Sequence, residues 1–204
     1  SWVKPLTAGL TELDQIRLVE DTPQNLAQRL MDEDLDCALI SPLDVIQVPF
    51  SRVIPGIGAA TAGPAACQLV LTRGQLAQAR RIAIDPRDGE GTALARVLLL
   101  EQFGATPEYV SIVFDTFEPE LVDGLVVMSG ASNAAVDRFT HRTDLSAQWK
   151  EFTGMPFVHM LWAARLRAPH ALLRRILIQA IRSGVELLEQ AKPAAQSFQG
   201  VYYT

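Results

Sequence analysis

The segment Asp88-Gly89-Glu90-Gly91-Thr92 stands where a short apolar run gives way to a helix-forming one. A helix start of this kind can hold an anion, because its free backbone N–H groups and the helix dipole attract negative charge. Glycine allows close approach there, and Thr92 adds a hydroxyl. Glu90 carries the opposite sign for that task, and the same residues also read as an ordinary helix cap. Ser129-Gly130-Ala131-Ser132-Asn133 follows the apolar run Gly124–Met128. Small hydroxyls at a strand end can meet a ligand, since open α/β sheets bind beyond the carboxyl ends of their strands. A plain turn capped by Ser132 or Asn133 accounts for them equally. His159 alternates with Phe157 and Leu161 on one strand face. It reads either as an acid/base group or carboxylate partner, or as a hydrogen-bonded core histidine.

Other chemistries find little material. The three histidines, His141, His159 and His170, lack metal-ligand spacing, so no metal is expected. Cys37 and Cys67 lie far apart in apolar runs, which suggests reduced thiols in a cytoplasmic protein. The net charge of −5 comes with no block of like charge, which argues against a nucleic-acid partner. Arg165–Arg167 and Arg174–Arg175 lie among helix formers and read as solvated helix faces. No window reaches the roughly 18 apolar residues that span a bilayer, and no signal-peptide pattern opens the chain. No cofactor and no membrane are therefore expected.

The elements that must position these residues alternate between strand and helix, the pattern of an α/β protein with a mixed, mainly parallel sheet. Thr22-Pro23 reads as a capped start for a helix over 24–31. Asp36–Ile40 is a buried strand closed by Ser41-Pro42, and Arg52–Gly58 a loop or edge segment. Cys67–Thr72 and Arg81–Ile84 are strands, and Thr92–Phe103 is a helix stopped by Gly104. Tyr109–Phe114, Gly124–Met128 and Phe157–Ala163 follow as strands. Leu145–Phe152 and Ala171–Gln190 are amphipathic helices, and Trp149 and Trp162 are assigned to the core.

One stretch is more specific. Asp144-Leu145-Ser146-Ala147-Gln148-Trp149 is followed by Thr153-Gly154-Met155-Pro156-Phe157-Val158 and Leu161-Trp162-Ala163-Ala164-Arg165. In order and spacing it resembles the chorismate dehydratases of menaquinone biosynthesis by the futalosine route. Those proteins have Asp-Leu-Gly and a Trp on a helix, then Thr-Gly-Leu-Pro-Phe-Val entering a strand that ends in Trp-Ala. Lys4-Pro5-Leu6-Thr7, Asp36–Ile40, Gly63-Pro64 and Asp85 through Val97-Leu98-Leu99 support the match.

The resemblance implies a two-lobed, clamshell-like fold of the type II periplasmic-binding class that closes on a small carboxylate. Lobe 1 would comprise residues 1–72 with 166–204, and lobe 2 residues 73–165. It also implies a first strand before Trp2 and further helix after Thr204. The implied reaction eliminates water from chorismate, leaving 3-[(1-carboxyvinyl)oxy]benzoate. Trp2 would stand where the family has an Asn, Cys67 near its substrate-binding Ser, Glu90 near a Thr, and Gly130 in place of an acidic residue. Substrate-binding positions are thus expected at Trp2, Ser41, Cys67, Gly91, Thr92, Ser129, Gly130 and His159. With substitutions concentrated at those positions, a diverged protein that binds another small carboxylate, or a non-catalytic partner, stands beside the dehydratase reading.

Overall fold

Local chemistry sets most element boundaries in the computed structural model, which describes residues 4–11, 13, 16–114, 117–128 and 136–190. A short α1 (Lys4–Thr7) precedes α2 (Pro23–Met31). The Thr22 hydroxyl accepts the Asn25 N–H at 3.3 Å, and Pro23 takes the first helical position. Strand β1 (Cys37–Ile40) ends at Ser41, which caps α3 (Pro42–Gln47). Then come β2 (Ser51–Thr61), β3 (Gln68–Thr72), β4 (Arg81–Ile84) and α4 (Gly89–Glu101). Next are β5 (Glu108–Ser111), β6 (Gly124–Met128), β7 (His141–Asp144) and α5 (Leu145–Thr153). Strand β8 (Phe157–Arg165) and helix α6 (His170–Gln190) complete the order.

Packing divides the chain into unit 1 (Ser1–Ala60 with Val158–Thr204) and unit 2 (Thr61–Phe157). These divisions differ from the 72/73 and 165/166 boundaries expected above. Strand β3 is hydrogen-bonded between β6 and β7, and β8 lies between β1 and β2. Each strand therefore belongs with its own sheet.

Unit 1 has a three-stranded sheet in the order β1-β8-β2. Strand β1 is antiparallel to β8, with Ile40 opposite Leu161 and Cys37 opposite Ala164. Alternation along β8 sends Trp162 and Ala164 into a core with Leu177, Ala180 and Ile181 of α6. Ala163 and Leu161 face the other core, with Leu30, Ala38 and Ile40. The segment expected as loop or edge is the edge strand β2, in which Pro55 precedes Gly56 at φ 81. Arg165 is the last residue of a strand, not part of a helix face, and it forms ion pairs with Asp36 and Glu33.

Unit 2 has a five-stranded sheet in the order β5-β4-β6-β3-β7. Strands β5 and β6 flank β4 in parallel, while β3 is antiparallel to both β6 and β7. Helices α4 and α5 contribute Leu94, Ala95, Leu98, Leu99 and Leu145 to a core over Val70, Ile82, Ile84 and Val126. Phe139, Val122 and Val136 join Leu71, Ala83, Leu125 and Val127 in a second cluster. Helix α4 starts three residues before the expected Thr92, because Asp88 caps it and both glycines fall within its first turn. Gly104 and Gly154 end α4 and α5 with φ of 61° and 72°, the left-handed backbone that glycine adopts without strain.

Candidate functional site

One edge of the unit 2 sheet gathers chemistry-bearing residues from several elements. Parallel β4 and β6 end there at Ile84 and Met128. Because β3 runs the other way, its first residue Gln68 lies opposite Met128. Leu69 lies opposite Asp144, the last residue of β7. Helices α4 and α5 begin at the same edge. This is the carboxyl-end edge of the parallel strands, where open α/β sheets bind ligands.

The sequence-expected residues Cys67, Gly91 and Thr92 meet at this edge. Cys67 is half-buried, and its thiol donates to the Ala65 carbonyl at 3.6 Å. Burial first, and then the charges of Asp144 and Glu90, push its ionisation above the ordinary thiol range. These surroundings favour the neutral thiol of Cys67 over the thiolate. At α4, Asp88 Oδ1 accepts the Gly91 N–H at 2.8 Å, and its backbone carbonyl accepts the Thr92 N–H at 3.1 Å. A Cβ on Gly91 would lie 2.4 Å from Asp88 Oδ2, so this glycine makes room for the helix's own cap. Burial raises the Asp88 carboxyl above the usual range, with a further push from Asp85. The neighbouring Arg87 is bound to Asp85 at 2.6 Å, which holds the Asp85 carboxyl low.

Several further side chains complete this edge, Asp144 and Ser146 of the family-like motif among them. Asp144 accepts from the backbone N–H groups of Ala65 at 2.9 Å, Ala66 at 2.6 Å and Ala147 at 3.0 Å. It thereby caps α5 and pins the turn before β3, in which Ala66 has φ 49°. Gln68 and Ser146 are 4% and 0% exposed, and Gln68 Oε1 and Ser146 Oγ have no hydrogen-bond partner. Asp88 Oδ2 and Thr92 Oγ1 are likewise buried without a partner. A polar residue at the start of β3 and a hydroxyl in the first turn of α5 were visible in the sequence. Their burial was not.

The remaining expected residues lie elsewhere. Ser41 is buried in unit 1, where its hydroxyl donates to Asp44 Oδ2 at 2.7 Å and accepts the Asp44 N–H at 3.1 Å in a capping box. His159 is 3% exposed on β8. It stands two residues before Leu161, which faces Ile40, so it lies at the sheet end where Ser41 closes β1. Trp2, Ser129 and Gly130 lie outside the described residues, although Ser129 directly follows Met128. Among the described residues, no group of three or more His, Cys, Asp or Glu side chains is placed to hold a metal ion. No helix there is long and apolar enough to cross a membrane. An open depression lined by Ala77, Gln78, Ala79, Arg80, Ala105 and Thr106 sits at the opposite sheet edge, away from these polar groups.

Chemically, the unit 2 edge offers hydroxyl and amide groups in a setting where the cation Arg87 is already paired. It can orient and hydrogen-bond a small polar molecule.

The fold is shared with solved structures of low sequence identity. Protein AF1704 from Archaeoglobus fulgidus matches at TM-score 0.63 and 17% identity, over 93% of this chain and 74% of that one. YhfZ from Shigella flexneri matches at TM-score 0.61 and 17% identity, over 91% and 85%. The periplasmic aliphatic sulphonate binding protein SsuA from Escherichia coli matches at TM-score 0.63 and 14% identity, over 93% and 70%. The α/β fold of the type II periplasmic-binding class expected from the sequence is therefore present. A family model described as menaquinone biosynthesis matches residues 3–201.

Proposed function

The chain belongs to the menaquinone-biosynthesis family, and on that premise we propose that it acts on chorismate as a hydro-lyase, removing water to leave 3-[(1-carboxyvinyl)oxy]benzoate. In that reaction a proton leaves one ring carbon and hydroxide leaves its neighbour, and the ring becomes aromatic. The protein's task is chiefly to orient a dianionic substrate and to meet its polar groups with fixed hydrogen bonds.

The observation that carries this reading is the unit 2 edge, where Gln68 Oε1, Thr92 Oγ1 and Ser146 Oγ are buried without partners. Leaving a polar group buried and unmet costs about 1–3 kcal/mol, and a bound substrate would remove that cost. Cys67 contributes a small side chain at the same edge, beside the Gly91 turn that Asp88 caps. Ser129 and Gly130, which directly follow β6 in the sequence, are further proposed substrate contacts, as is Trp2. A small organic anion as ligand is in keeping with the sulphonate binding that names the Escherichia coli neighbour.

The test is incubation of the full chain with chorismate, followed by chromatography for loss of substrate and gain of the carboxyvinyl ether of 3-hydroxybenzoate. Turnover well above a buffer control is expected. A folded protein that yields no product would reject the lyase and leave only ligand binding.

A further inference from the structure

The orphaned polar atoms of unit 2 lie at the end of one core layer. Gln68 shares a strand face with Val70, which packs beneath Leu94, Ala95 and Leu145. Thr92 is three residues before Ala95, and so on its helix face. Ser146 adjoins Leu145 in the first turn of α5. Hydrocarbon thus fills the layer up to the sheet edge, where an amide and two hydroxyls replace it. Asp144, the cap of α5, accepts the N–H groups of Ala65 and Ala66 and lies opposite Leu69, which ties that helix start to the chain on both sides of Gln68.

The surrounding charges decide what can fit. Asp88 Oδ2 and Gln68 Oε1 both present lone pairs without donors. Glu90 stands in the first turn of α4, and the Gly91 N–H is already taken by Asp88. A ligand carboxylate placed here would face oxygen lone pairs and formal negative charge. A ligand hydroxyl fits better, because it can donate to Gln68 Oε1 and accept from Thr92 or Ser146.

Resting on the chorismate reading, we infer that this edge of unit 2 holds the ring hydroxyl of the substrate, the group lost as water, and not either carboxylate. Gln68, Thr92 and Ser146 then set specificity for an acid that carries a hydroxyl over its dehydrated counterpart. A site built to hydrogen-bond a hydroxyl discriminates strongly against an analogue without it, because its own polar groups are then left unpaired.

Calorimetric titration with two acids tests this. One is a ring-reduced chorismate, which keeps the hydroxyl and both carboxylates but cannot aromatise. The other is 3-[(1-carboxyvinyl)oxy]benzoate, which keeps the carboxylates and lacks the hydroxyl. Gln68→Met, Thr92→Val and Ser146→Ala are each expected to weaken the first acid about tenfold and to leave the second unchanged. Equal weakening of both acids would mean that the edge holds a carboxylate, and would overturn the inference. Unchanged binding of both, with only the unfolding midpoint altered, would assign the orphaned atoms to buried water and overturn it as well. Wild-type protein that binds neither acid would reject the chorismate reading itself and this inference with it. Circular dichroism of each variant establishes that it is folded before titration.

Discussion

Replacing Asp144 by alanine removes a carboxylate that serves as both helix cap and loop clasp. It accepts N–H groups from Ala147, at the start of α5, and from Ala65 and Ala66 in the turn before β3. Loss of the cap costs about 1 kcal/mol. Each of the other two bonds, made to a charged acceptor, is worth about 1.5 kcal/mol at the low end. The amide freed at exposed Ala66 recovers part of its loss by bonding to water, so the expected destabilisation is about 3 kcal/mol. That is a large share of the 5–15 kcal/mol typical of a native protein, and corresponds to a fall of about 10 °C in Tm. Asp144→Asn keeps a neutral acceptor and should lose only about 1 kcal/mol. Urea unfolding, followed by circular dichroism and tryptophan fluorescence, measures both, with Trp149 on α5 inside unit 2 as a nearby probe. A Asp144→Ala protein within about 1 kcal/mol of wild type would refute the clasp.

Three further outcomes follow from the same geometry. Asp88 is held above its unfolded pKa, so the native state keeps the proton more readily than the unfolded chain. Stability is therefore gained as pH falls through the raised value and lost as pH rises through it. Asp88→Asn should exceed wild type in urea midpoint near pH 7, and the gap should close by about pH 4. A gap that does not change with pH would mean that the Asp88 charge is met in the fold. The Cys37 thiol is pushed up to about 12 by burial. Native protein at about pH 8 should leave Cys37 unmodified by iodoacetamide in peptide mass spectra, whereas urea-unfolded protein should not. In Gly58→Ala the new Cβ would lie 2.6 Å from the Met160 carbonyl oxygen, in the backbone of β8. A loss of at least about 2 kcal/mol is expected in the same urea assay. An unchanged midpoint would show that β2 can move away.

Where local signals agreed, sequence and structure coincide. Arg81–Ile84 and Gly124–Met128 are strands at the expected residues, and Thr22 and Pro23 start α2. Short elements without a period escaped notice. Strand β7, His-Arg-Thr-Asp, is polar and exists because β3 offers it a hydrogen-bonding edge, a tertiary cause that no four-residue window carries. Helix α3 was hidden because Ser41-Pro42 reads as a strand stop, although the same pair with Asp44 forms a capping box. The site was legible in part. The segment at Gly91 and Thr92 reads equally as an anion loop and as an ordinary helix cap, and in the fold Asp88 caps it, filling an N–H group that a ligand would use. Gln68 and Ser146 carry no signal of burial in the sequence, and only the packing of α4 and α5 over β3 encloses them.

Strand β2 has a consequence beyond its own unit. It is 11 residues long and lies at the edge of its sheet, the kind of exposed template on which another chain can add a strand. Pro55 offers no N–H at its centre, and Gly56, with its left-handed backbone, turns the ladder out of line. The interruption divides one long row of donors and acceptors into two short ones. Each row is shorter than the roughly six residues of a typical fibril-forming segment, so the residues that look like a flaw in the strand weaken it as a template for pairing with a second chain.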